Sequence, residues 1–194
     1  MQEIAGYLTG VLLIVGFIPY LLDIFRHKTK PERASWLIWG ILGTIAFFSQ
    51  LASGASWSLV LTGVDTLIVL WILGLSIKDG VGGFTKLDIT SLILAGIGLI
   101  AWYFTHQPLT ALLLVLFVDA IGVILTIIKT YNEPETETMF AWLMASLAGL
   151  LSAVAVGKLD LTLLLYPAYI FLANGLVAAT VIIGKKQTKQ TQLN

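Results

Sequence analysis

Seven apolar runs, each about 20 residues long and separated by short polar breaks, leave this chain few folds to choose from. They cover residues 4–25, 36–53, 57–77, 88–105, 109–129, 139–156 and 160–183. At about 1.5 Å per helical residue, about 20 residues cross a hydrocarbon layer roughly 30 Å thick. The pattern therefore predicts an all-α integral membrane protein with seven transmembrane helices. A chain of 194 residues that is 58% hydrophobic and 11% charged has too little polar surface to enclose such runs in water. Nothing between the runs is long enough for a soluble domain, and only a polar tail, residues 185–194, follows them. Function is expected inside the helix bundle, with the lipid bilayer as the first partner.

The opening "MQEIAGYLTG" carries a glutamate and no lysine, unlike the basic start of a signal peptide, so the first run reads as a retained helix. Lysine and arginine in short loops set orientation. With the N-terminus outside, Arg26, Lys28, Lys30, Arg33, Lys78, Lys86, Lys129, Lys185, Lys186 and Lys189 fall inside and only Lys158 falls outside. The C-terminus is then cytoplasmic, and the expected setting is a prokaryotic cell membrane. "RHKTKPER" reads as an orientation signal, not a nucleic-acid patch.

Enzymatic chemistry has no footing. There is no cysteine, His27 and His106 both fall in loops, no Glu–His pair has ligand spacing, and no glycine-rich phosphate loop is present. No catalytic residue, metal site or cofactor is expected.

Sliding the chain against itself by 103 residues places Pro31 on Pro134, Glu32 on Glu135, Trp39 on Trp142 and Gly54 on Gly157, with Arg26 on Lys129 and Ser35 on Thr138. Helix 1 pairs with 5, 2 with 6 and 3 with 7, while helix 4 is unpaired. Two consecutive three-helix copies would face opposite ways, and one extra helix restores a common orientation. The expected arrangement is 3-1-3. Residues 1–78 form one three-helix bundle, 79–107 a linker helix, 108–184 a second, parallel bundle and 185–194 a cytoplasmic tail.

Two kinds of residue interrupt the apolar helices. Pro19 and Pro167 each remove a backbone hydrogen bond and kink a helix, and each is read as a hinge against the alternative of a static kink. Asp65 and Asp119 stand about ten residues into their helices, with no lysine or arginine nearer than the helix ends. A carboxylate there costs about 2.5–3.5 kcal/mol on insertion scales. Because desolvation disfavours the charged form, both are candidates to couple protons to transport; the alternative is a neutral carboxyl bonded to a helix backbone. Asp23, within a turn of Arg26, reads as a surface pair of little weight. Trp39 and Trp142, at equivalent repeat positions, could hold a solute between two indoles. Asp65, Tyr166 and Asn174 are further candidates to bind it, with Gln50 and Tyr169 also able to hydrogen-bond a polar molecule or to act as interhelical glue.

"GFIPYLLDIFRHKTKPERASWLIW" resembles the signature of the SWEET, SemiSWEET and PQ-loop transporter superfamily, in which a Pro-Gln pair in the first helix precedes a basic loop and a Ser and Trp opening the second. Pro19 and Tyr20 occupy the pair, without the glutamine. "VDAIGVILTIIKTYNEPETE" resembles the Asp-x-x-Gly-x-x-Leu-Ser pattern of PQ-loop transporters at Asp119, Gly122, Leu125 and Thr126. The family's two substrate-contacting asparagines fall on Asp65 and Ala168, so neither is kept. The resemblance implies a transporter of a small polar solute such as a sugar or amino acid, working by alternating access through a central cavity, with protons as candidate coupling ions. Asp119 would be the coupling residue, and its counterpart in the first repeat is Gly16. Two other readings share the architecture: a sorting receptor like the KDEL receptors, and a vitamin transporter of the nicotinamide riboside type. A receptor for a peptide end would call for buried arginines, which the helices lack. Oligomeric state and the solute itself stay open.

Overall fold

The computed structural model describes residues 2–52, 57–105, 108–156, 159 and 161–191. It is all-α. The helices are α1 (Gln2–Phe25), α2 (Arg33–Ala52), α3 (Trp57–Asp79), α4 (Lys86–Phe104), α5 (Pro108–Asn132), α6 (Met139–Val156) and α7 (Leu161–Thr191), with a 3-10 turn over Pro134–Thr136 before α6. They follow the seven apolar runs to within a few residues, except that α7 continues through the polar tail. Among the described residues, five helices are long and apolar enough to cross a membrane, and α2 contributes a shorter apolar stretch, Arg33–Phe48. The chain is an all-α membrane protein.

Local chemistry sets the helix ends. Beyond the last turn of α1, His27 takes a left-handed conformation, φ 55°. Its amide bonds the Ile24 carbonyl and the Lys28 amide bonds the Asp23 carbonyl, both at 2.8 Å. This is the Schellman arrangement, in which a left-handed residue turns the chain so that two orphan carbonyls find donors. Thr85 caps α4: its hydroxyl takes the Asp88 amide while the Asp88 carboxylate takes the Thr85 amide.

The chain forms two compact units. The first holds residues 1–29 and 126–194, hence α1, the last turns of α5, α6 and α7; the second holds residues 30–125, hence α2, α3, α4 and most of α5. In the first unit α6 packs against both α1 and α7. Ala141, Ala145, Ala148 and Gly149 give α6 a buried small-residue face, which lets backbones approach where apolar lipid supplies no drive for helices to associate. A Cβ on Gly149 would sit 2.6 Å from the Phe171 amide nitrogen, and one on Gly16 would sit 2.7 Å from the Met144 Cβ. Ser146 adds a hydrogen bond to the Phe171 carbonyl at 2.8 Å. In the second unit Ala34, Ile38, Ala95, Val118, Ile121 and Leu125 form a core, with Trp39 packed on it.

Candidate functional site

Two buried glutamates organise the loops that enter α2 and α6. In the second unit, Pro31-Glu32-Arg33 lies against the loop after α3. Val81 donates its amide to the Pro31 carbonyl and Arg33 donates to the Val81 carbonyl, both at 2.9 Å, which makes a one-residue parallel bridge. Glycine is needed opposite: Gly82 and Gly83 have φ of 69° and 93°, and a Cβ on Gly82 would collide with the Glu32 carboxyl. Arg33 reaches across to the end of α3, donating to the carbonyls of Ser76 at 2.8 Å, Gly82 at 3.1 Å and Ile77 at 3.3 Å.

Glu32, 4% exposed, turns back onto the start of α2. It accepts the Ser35 amide at 2.6 Å and the Ala34 amide at 3.2 Å, capping two helix donors. The Ser35 hydroxyl stands 2.7 Å from Glu32 Oε2 and also 2.7 Å from the carbonyl oxygen of Gly122 on α5. Gly122, where the repeat would place a second proline, allows this: a Cβ there would lie 2.9 Å from Trp39 Nε1. Burial is the largest influence on the Glu32 carboxyl and raises it above the ordinary glutamate range, against the hydrogen bonds from Ser35 and Ala34 and with the like charge of Asp88 adding to the rise.

In the first unit Glu137 takes the corresponding buried place with different partners. Its Oε2 accepts from Lys129 Nζ at 2.5 Å and its Oε1 from Trp142 Nε1 at 3.0 Å. Lys129 also donates to the Thr136 carbonyl at 2.7 Å. Both charged side chains are almost wholly buried, at 6% and 1% exposure. Beside them Thr138 donates to Asp23 Oδ2 at 3.0 Å and hydrogen-bonds Thr29. Asp23 is thus tied to the start of α6, not held as a surface pair with Arg26. Glu135, the residue aligned with Glu32 by the repeat, is exposed and pairs with Lys185 at 3.1 Å.

The residues singled out for solute and proton chemistry divide between the units. Trp39, Asp65 and Asp119 belong to the second; Pro19, Trp142, Tyr166, Pro167 and Asn174 belong to the first. Trp39 is half-buried and meets Trp36 edge to face at 5.2 Å. Asp65 is half-buried in α3 and has no hydrogen-bond or ion-pair partner among the described residues. Asp119 is half-buried in α5 and engaged. Trp142 is 5% exposed, donates to Glu137 and stands edge-on to Tyr20 at 6.2 Å. Tyr166 is 47% exposed, and Asn174 donates its amide to its own helix at the Ile170 carbonyl, 2.8 Å away. Pro19 and Pro167 both lie inside continuous helices, half-buried and buried respectively. The side chain of Gln50 and all of His106 and Lys158 fall outside the described residues.

The sequence reading missed the roles of Glu32, Glu137, Lys129 and the Gly82–Gly83 turn. A signal was present for Glu32: an acidic residue directly before the start of α2 can accept the first helix amides, and "GVGG" beside "PER" marks a close backbone approach. Comparison with family models, with characterised proteins and with solved structures finds no match to this chain.

Proposed function

We propose that this chain is a small-solute transporter of the SWEET and PQ-loop type that works by alternating access and is coupled to protons, oriented with its N-terminus outside and its C-terminus in the cytoplasm. The observation that carries the reading is Asp65. A carboxyl half-buried in a membrane helix, without a partner among the described residues, is unfavourable unless it meets a solute, a proton or water during function. Pro167 and Pro19, inside helices that stay continuous, supply places where a helix can bend. The sequence duplication, with a buried glutamate entering both α2 and α6, supports a duplicated transporter architecture. Asp119 is the second carboxyl of the set.

Purified protein in liposomes, given a panel of labelled sugars, amino acids and vitamins, should accumulate at least one solute faster with an inward proton gradient. Asp65→Asn should abolish uptake, and Asp119→Asn should remove the gradient dependence while leaving exchange at equal pH. Uptake that Asp65→Asn leaves at the wild-type rate would sink the reading.

A further inference from the structure

The entry loop of α2 contains more acceptors than a charged glutamate allows. Ser35 Oγ has one hydrogen and lies 2.7 Å from two oxygens, Gly122 O and Glu32 Oε2. A carbonyl only accepts, and so does an ionised carboxylate. Ser35 is 0% and Glu32 4% exposed, so the 2.7 Å oxygen pair that a single hydrogen leaves unbridged is held away from bulk water. Both contacts become full hydrogen bonds when the second hydrogen belongs to Glu32. Its Oε2–H then donates to Ser35 Oγ, and Ser35 donates to Gly122 O. Oε2 retains a lone pair for the Ser35 amide at 2.6 Å, and Oε1 accepts the Ala34 amide.

We propose that Glu32 is a proton-binding site, and that its proton completes a chain from Glu32 through Ser35 to the Gly122 carbonyl that fastens the α1–α2 loop to the middle of α5. The surrounding charges fit. Asp88 on α4 disfavours a Glu32 anion. Arg33 on α2 is engaged by α3 and Gly82 carbonyls. Lys78 at the end of α3 and Lys86 at the start of α4 are exposed, and Asp79 is half-buried. Among the described residues Glu32 has no ion-pair partner. Asp119 stands three residues before Gly122 on α5, so loss of the Glu32 proton would loosen the helix that holds an intramembrane carboxyl. Because burial favours the protonated form in the fold, the fastening is present at low pH and is lost as pH rises through the raised value.

The proposal does not rest on transport, and its test needs no solute. The full chain, carrying carboxyl-carbon-13 glutamate, is followed by infrared spectroscopy across pH in detergent. A protonated glutamate band should persist above the ordinary glutamate range, vanish in Glu32→Gln and survive in Glu137→Gln. Ser35→Ala, which removes the acceptor but keeps the carboxyl, should shift the band's frequency. Absence of any protonated glutamate band in folded wild type at such pH, or a band that Glu32→Gln leaves in place, would overturn the proposal. Should Glu32→Gln fail to fold, a band unmoved by Ser35→Ala would overturn it equally.

Discussion

At the entrance to α2 a buried glutamate is satisfied by two backbone amides and a serine hydroxyl; at the entrance to α6 a buried glutamate is satisfied by an ammonium and an indole. The two loops share a Pro-Glu sequence, yet among the described residues only the second holds its buried glutamate in an ion pair. In a buried pair each partner holds the other, and removing one leaves the other stranded. A carboxyl held by neutral donors has no such lock, and its protonation follows the medium. One entry loop is therefore a fixed anchor and the other a titratable one.

The largest effect that could break this comparison is topological. If the loops are counterparts, Lys30→Cys and Glu133→Cys, both at exposed positions, must face the same compartment, and Leu159→Cys, fully exposed, the other. An impermeant maleimide on whole cells should label Leu159→Cys alone, against no background because the chain has no cysteine. Labelling only one of the two entry loops would end the analogy.

Next in size is the fixed anchor. Glu137→Ala strands a buried ammonium and should cost about 3–5 kcal/mol, read as a fall in unfolding midpoint in detergent. Replacing Lys129 and Glu137 together by Met and Leu should recover most of the loss. A Glu137→Ala effect below about 1 kcal/mol would show that water reaches the pair.

The titratable anchor should respond less and differently. Glu32→Ala uncaps α2 and should cost about 0.5–2 kcal/mol. Glu32→Gln keeps a donor for Ser35 Oγ but its NH2 cannot accept the Ser35 amide, so it should lie below wild type at acidic pH and gain on it as pH rises, since the wild type loses its proton there and the amide does not. Matching pH profiles for wild type and Glu32→Gln would remove the distinction between the loops.

The smallest effect belongs to the exposed pair Lys185–Glu135. Lys185→Ala should change stability by only a few tenths of a kcal/mol, and less in high salt.

The fold was legible because length and hydropathy are read directly: an apolar run that must satisfy its own backbone in lipid has to be a helix. The polar tail after Ile183 escaped because nothing in its composition marks a stop, and α7 continues to Thr191. A fixed offset of 103 residues matched Glu32 to Glu135, but the 3-10 turn over Pro134–Thr136 shifts the buried role two residues on, to Glu137. Alignment compares positions in sequence, whereas burial depends on how the turn rotates each side chain. For the candidate site, Asp65 stood out since charge in an apolar span is conspicuous. Lys129 did not, because a lysine at a helix end has an ordinary explanation in membrane orientation, and only the fold reveals that its ammonium turns inward to Glu137.

The first unit joins the earliest helix of the chain to the latest two, while the second is continuous. During synthesis the continuous unit can assemble as soon as residue 125 has emerged. Helix α1 waits longer for its partners in the first unit. Its small-residue contact at Gly16 waits for Met144 and its loop threonine, Thr29, waits for Thr138. At about 5–20 residues per second, that delay is on the order of ten seconds, during which α1 sits in the bilayer with only lipid or an insertion factor against the face that α6 will cover.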